Sequence, residues 1–140
     1  MKYIIIDVNI ASLVFGSCLE KRFLDLNKSL ATGKPFHVVA VHGGKLTAEY
    51  AQITGLRRML VSLGRAGKLR KFADDQVKKE TVKVQKEARC KSNDHHIIGL
   101  ASVSTARILT SNDKLLCADF LPAGIRFVYI IGMNAVFNCF

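Results

Sequence analysis

Residues 92–113 read SNDHHIIGLASVSTARILTSND, and their pattern decides the fold class. The polar triplet Ser92-Asn93-Asp94 is suited to open a helix, because a short polar side chain at an N-cap accepts hydrogen bonds from the first free backbone N–H groups. Ile97, Ile98, Leu100, Ala101 and Val103 then carry an apolar helical run, and Arg107 to Thr110 is a short β-type run. An aspartate stands at each end, Asp94 where the helix begins and Asp113 just past the strand. A helix-strand unit of this kind delivers both carboxylates to one edge of a sheet.

Working outward, Lys2 to Ile6 (KYIII) is an apolar run fit for a buried strand, and Asp7 follows it at once. His37 to Val41 (HVVAV) is a second such run, followed by the turn His42-Gly43-Gly44 and a helical pattern that holds Glu49 in its first turns. Between them Phe15, Leu19, Phe23, Leu26 and Leu30 recur at helical spacing, and Gly33-Lys34-Pro35 ends the pattern. Leu46, Ile53, Leu56, Leu60 and Leu63 form a further helical stripe with Glu49 on the same face. Arg126 to Ile131 (RFVYII) is the last strand. Strands alternating with helices predict an α/β fold, a three-layer α/β/α arrangement around a mostly parallel sheet. In such a sheet, ligands bind outside the carboxyl ends of the strands, so Asp7, Glu49, Asp94 and Asp113 are expected to converge there.

A length of 140 residues, 49% of them hydrophobic, predicts one domain with one core over residues 1–140. The start MKYIIID lacks the apolar region and cleavage site of a signal peptide, and no uncharged apolar run reaches membrane-spanning length, so the expected location is the cytoplasm and no membrane partner is expected. Cys18, Cys90, Cys117 and Cys139 form no CxxC pair and read as ordinary thiols. The uncharged tail Gly132 to Phe140 is suited to cover the core or to pair with a second copy of the chain.

The net charge of +10 is regional. Arg57 to Lys91 holds 12 Lys or Arg against 4 Asp or Glu, a net of +8, and the rest of the chain holds 9 against 7, a net of +2. A small acidic set beside a long basic segment suits a protein that meets a polyanion and holds a divalent cation. Arg57, Arg58, Lys78, Lys79, Lys83 and Lys86 are the candidate contacts for such a polyanion, a nucleic acid such as RNA among them; the alternative is a solvated helical face. The apolar content from Arg65 to Lys91 is thin, which predicts a surface segment.

Four carboxylates brought close together repel one another unless cations neutralise them or some protonate. Magnesium or manganese suits oxygen ligands and would supply a metal-bound water as nucleophile, so no nucleophilic side chain is required. Asn9, Thr110, Ser111 and Asn112 are placed to orient carboxylates or waters. Each acid also has a bland role: Asp7 a strand end, Asp94 an N-cap, Asp113 a turn residue, Glu49 a helix-surface charge. His95 and His96 adjoin Asp94 and are secondary candidates for phosphate or metal contact, and Asp119 is a surface or supporting residue.

The combination IIIDVN (4–9), AEY (48–50), NDHHIIGLA (93–101) and ILTSND (108–113) resembles the PIN-domain ribonucleases, in particular the compact VapC-like toxins of bacterial and archaeal toxin-antitoxin pairs. The resemblance covers essentially the whole chain, with Asp119-Phe120 matching downstream, and finds no motif between Glu49 and Asp94. It implies a PIN-like fold, binding of Mg2+ or Mn2+ by Asp7, Glu49, Asp94 and Asp113, cleavage of RNA phosphodiester bonds, and a cognate antitoxin as partner. Asn9 and Ser111 match its polar positions beside the first and last acids. Two other functions fit parts of the pattern. IIID at a strand end can carry the nucleophilic aspartate of a phosphotransfer or phosphatase domain, although Asn9 stands where that chemistry wants a second acid. The basic segment alone would suit a non-catalytic RNA-binding domain.

Overall fold

The computed structural model describes residues 2–15, 37–86, 93–106, 108–111, 115–116 and 127–130. The elements are β1 (Lys2–Ile6), α1 (Val8–Phe15), β2 (His37–His42), α2 (Lys45–Ala51), α3 (Leu56–Arg65), β3 (Leu69–Phe72), α4 (Asp74–Lys86), α5 (His95–Ser104), β4 (Ile108–Ser111) and β5 (Phe127–Ile130). The five strands form one sheet in the order β3-β2-β1-β4-β5, and every neighbouring pair is parallel. Parallel strands covered on both faces need unbroken apolar runs, and Ile4, Ile5 and Ile6 of β1 and Val39 and Ala40 of β2 have no exposed surface.

Right-handed crossovers fix where the helices lie. The chain moves outward from β1 through β2 to β3, then returns past β1 to β4. The connections α1, α2 and α3 therefore cover one face of the sheet, and α4 and α5 cover the other. The contacts agree: α1 packs on α2 and α3, while α4 packs on α5. The fold is α/β with three layers, as the alternation of strand and helix patterns predicts.

Two local expectations are corrected. The stripe Leu46 to Leu63 is two helices, since α2 ends at Ala51 and Gly55, at φ 82°, turns the chain before α3 begins at Leu56. A left-handed φ suits glycine, which has no Cβ to crowd the carbonyl. Leu46, Tyr50, Leu56 and Leu63 still reach the core. The basic segment, in turn, contains a strand that the composition hides. β3 is an edge strand with Arg70 and Lys71 exposed, and Arg70 donates a hydrogen bond to the Tyr3 hydroxyl at 3.0 Å and lies over the Phe72 ring at 5.4 Å. Charged side chains on an edge discourage pairing with another sheet. Part of the segment is thus built into the sheet, and α4, which follows β3, buries Val77 against the core.

The expected helical run over Asn9 to Leu30 is described only as α1, and Gly33-Lys34-Pro35, Arg89 and the tail after Ile130 lie outside the described residues. Among the described residues, no helix is long and apolar enough to cross a membrane.

The α4–α5 contact is held close by one glycine. A Cβ added at Gly99 would lie 2.4 Å from Thr81 Oγ1, 2.9 Å from the Val77 carbonyl oxygen and 3.0 Å from the Thr81 backbone nitrogen. Two of these are backbone atoms of α4, so the helices would have to separate. Gly99→Ala is expected to destabilise the fold by about 1–3 kcal/mol in a urea melt despite the better helix propensity of alanine. Adding Thr81→Ala should recover only part of the loss, because the backbone contacts remain; an unchanged midpoint for Gly99→Ala would contradict this packing.

Candidate metal centre

The carboxyl edge of the sheet collects the polar residues at the ends of β1, β2 and β4. Asp7 follows β1, is buried, and donates its backbone N–H to the Thr110 carbonyl of β4 at 2.9 Å, across the point where the strand order reverses. The Ser111 hydroxyl donates to Asp7 Oδ2 at 2.5 Å and fixes the orientation of that carboxylate. Thr110 and Ser111 are both buried.

Glu49 reaches this edge from α2. The buried Tyr50 hydroxyl donates to the Ile6 carbonyl, immediately before Asp7, and the Thr47 hydroxyl donates to the His42 carbonyl at the end of β2. These two bonds tie α2 to the ends of two strands and bring Glu49 to the edge where Asp7 stands. Tyr50 has to remain a donor, and burial, with the charges of Asp7 and Glu49, raises its pKa well above the ordinary phenol value. Burial likewise raises the Glu49 carboxyl; Lys45 pulls it down, and Asp94 and then Asp7 push it up. Glu49 is therefore in electrostatic contact with two of the other predicted acids.

Asp94 occupies the N-cap position of α5 but makes no side-chain capping hydrogen bond. Its Oδ1 lies 3.7 Å from the Lys45 ammonium and 3.7 Å from His96 Nε2, and the same ammonium lies 3.8 Å from Glu49 Oε1. One ligand atom from each of Glu49, Asp94 and His96 falls within 4.8 Å of the other two, a spacing from which a metal ion could be held. Among the described residues Lys45 pairs with this cluster; half-exposed on a flexible stem, it contributes weakly.

Behind His96 runs a line of hydrogen bonds. His96 Nδ1 is 3.1 Å from His42 Nε2, and His42 Nδ1 is 3.1 Å from Asp74 Oδ1. Asp74 Oδ2 takes the Lys78 ammonium at 3.1 Å. Hydrogen bonds from Lys78 and then His42 hold the Asp74 carboxyl below its ordinary value. Gly44 sits tightly in this line, since a Cβ there would come within 2.6 Å of Asp74 Oδ1. His96 itself is 9% exposed, and desolvation, with His42, Lys45 and His95 adding to it, lowers its pKa to about 4.

Of the acids expected at the site, Glu49 and Asp94 meet in one cluster with His96, and Asp7, which is not one of those three, bears on Glu49 through its charge. Asp113 and Asn112, like Asp119, lie outside the described residues. Ser111 touches Asp7 as expected, Thr110 serves through its carbonyl, and Asn9 stands exposed at the start of α1. The candidate RNA contacts divide between layers. Arg57 and Arg58 are exposed on α3, whereas Lys78, Lys79, Lys83 and Lys86 are exposed on α4 across the sheet. Lys78, Lys79 and Lys83 line an open depression of roughly 700 Å³ with Gln76, Glu80 and Val82, and Lys83 pairs with Glu80 at 3.0 Å.

His42, Lys45, Tyr50 and Asp74 were not singled out by sequence, and His96 ranked there only beside His95. His42 ends an apolar strand as Asp7 does, so the same signal would have found it. Asp74 needed β3 to be recognised first. Comparison of the chain with family models, curated proteins and solved structures found no match.

Between pH 6.5 and about 4 the unfolded chain takes up a proton at His96 that the folded chain refuses. Folding stability is therefore lost through this group as pH falls across that window, and above pH 6.5 the contribution vanishes. The raised carboxyl of Glu49 acts in the opposite direction, so the comparison has to be made against a variant. Metal-free wild type should lose stability relative to His96→Gln by up to about 1.4 kcal/mol for each pH unit below 6.5. Urea melts from pH 7 to 4.5 in chelator check this, and parallel curves for the two proteins would contradict it.

Proposed function

We propose that the chain is a metal-dependent endoribonuclease in which Asp7, Glu49 and Asp94, joined by Asp113, hold Mg2+ or Mn2+ at the carboxyl edge of the sheet. The observation that carries this reading is the meeting of Glu49 on α2 with Asp94 and His96 at the start of α5, one ligand atom of each within 4.8 Å of the other two, at the edge where Asp7 follows β1. Unrelated caps and surface charges have no reason to meet in this way, and Asp94 does not perform the capping role its position offers. The donor set fits a divalent ion: the carboxylate oxygens of Glu49 and Asp94, and a buried imidazole nitrogen facing them.

An ion bound there would neutralise the acids, polarise a phosphoryl oxygen and lower the pKa of its water, which is the chemistry that hydrolysis of a phosphodiester needs. The chain itself supplies position. Ser111 holds the Asp7 carboxylate in one orientation, Tyr50 locks α2 against the end of β1, and the Asp74–His42 pair holds the His96 ring. Lys79 and Lys86 project from α4 into solvent with Lys78 and Lys83, where they would attract a phosphate backbone.

Asp7→Asn and Asp94→Asn keep size and hydrogen-bonding capacity, and each is expected to reduce metal-dependent RNA cleavage by about 100-fold or more, since supporting residues of metal sites alone are worth about 10–100-fold. Full cleavage by either folded variant removes that residue from the site. Neutralising Lys78, Lys79, Lys83 and Lys86 together should weaken RNA binding and flatten its salt dependence, lowering the slope of log K against log salt by at most about 3. Cleavage at saturating RNA should change little; an unaltered salt slope would take α4 out of the RNA path.

A further inference from the structure

His96 Nε2 is, among the described residues, a buried nitrogen with no hydrogen-bond partner. Leaving such an atom unsatisfied gives up its hydration for nothing in return, so its surroundings call for a reason. The hydrogen bonds behind it supply one. Asp74 is an ionised carboxylate and can only accept, so His42 Nδ1 at 3.1 Å donates to it. The Gly44 N–H also points at His42 Nδ1, at 3.2 Å, and would favour the opposite tautomer. The carboxylate prevails, because a charge-assisted hydrogen bond is about twice as strong as a neutral one. In neutral His42, Nε2 is then a lone pair, and it accepts from His96 Nδ1 at 3.1 Å. His96 Nε2 is thereby left as a lone pair too, and it faces Asp94 Oδ1 at 3.7 Å.

Three electron-rich atoms, one each from Glu49, Asp94 and His96, lie within 4.8 Å of one another. Ligands on a single ion, each about 2.0–2.2 Å from it, stand roughly 3–4.5 Å apart. Only a small closing movement separates the cluster from that geometry, and Lys45, half exposed, has solvent to swing into. We infer that the cluster binds a transition-metal ion with His96 Nε2 as a direct ligand, and that Asp74 and His42 are the outer shell that makes this nitrogen a ligand. The inference rests on the reading of this edge as a metal centre and goes beyond it by naming the third donor and the class of ion. An all-oxygen site suits magnesium, whereas an imidazole beside two carboxylates suits manganese, cobalt, iron or zinc. A ligating histidine typically donates its other N–H to an outer partner, and here that partner is His42, itself oriented by a carboxylate.

The test uses the full chain without RNA, with Co2+ and Mg2+ titrated separately by calorimetry and Zn2+ added to 15N-labelled protein for histidine ring spectra. Co2+ is expected to bind at least about 100-fold more tightly than Mg2+. His96→Gln should weaken Co2+ by about 10-fold or more while moving Mg2+ by less than about twofold, and Asp74→Asn should weaken Co2+ by a smaller factor in the same direction. In the wild type, which needs no folding control, His96 Nε2 should be unprotonated without metal and should shift on Zn2+ binding while Nδ1 keeps its proton. A protonated Nε2 in the metal-free protein, an Nε2 that ignores Zn2+, or equal losses for Co2+ and Mg2+ in His96→Gln would each overturn the inference. Cobalt binding as expected in a protein that cuts no RNA would instead remove the ribonuclease reading and leave this one standing.

Discussion

The site is organised by the burial of carboxylates near one another. Asp7, Glu49 and Asp94 stand at one edge of the sheet, and the Glu49 carboxyl is raised by burial first and then, against the pull of Lys45, by Asp94 and Asp7. Lys45 reaches Glu49 and Asp94 from a half-exposed side chain, too loosely to fix either. Around this cluster the remaining polar contacts are constraints on geometry. Tyr50 anchors α2 to β1, Ser111 orients Asp7, and Asp74 and His42 aim His96.

The strand order explains why these residues meet although they span most of the chain. In the order β3-β2-β1-β4-β5 the chain leaves β1 in both directions, so the connections on the two sides diverge above the boundary between β1 and β4 and open a crevice there. Asp7 sits on that boundary, hydrogen-bonded to β4. Glu49 enters from the layer of α1, α2 and α3, and Asp94 and His96 enter from the layer of α4 and α5. Gly99 contributes from a distance by letting α5 lie close on α4, which brings the relay residue Asp74, at the start of α4, into line with His42 and His96.

Most of this architecture was legible because buried parallel strands must be continuously apolar, and KYIII, HVVAV, ILT and FVYI are. β3 was not, since an edge strand needs only partial cover and LRKF carries two exposed cations among residues that read as a basic surface. Missing it concealed Asp74, whose meaning comes from following a strand. The carboxylates at strand and helix ends were readable from position alone. The choice between His95 and His96 was not, because adjacent helical residues differ only in the direction they face: His96 turns inward, while His95 lies toward Gln85 at 3.2 Å. The helical stripe from Leu46 to Leu63 is real but runs over two helices, since a break at one glycine that keeps the apolar spacing in phase is invisible to periodicity.

The central claim is that the coupled acids exist to hold a divalent cation for cutting RNA. It is tested most directly by incubating purified protein with end-labelled RNA after exhaustive chelation, then restoring Mg2+ or Mn2+, and determining the product ends. The account predicts no cleavage in chelator, recovery on adding metal, and ends that carry phosphate and hydroxyl without 2′,3′-cyclic phosphate, as water attack requires. Cleavage that persists in chelator, or that yields cyclic phosphate, would contradict it.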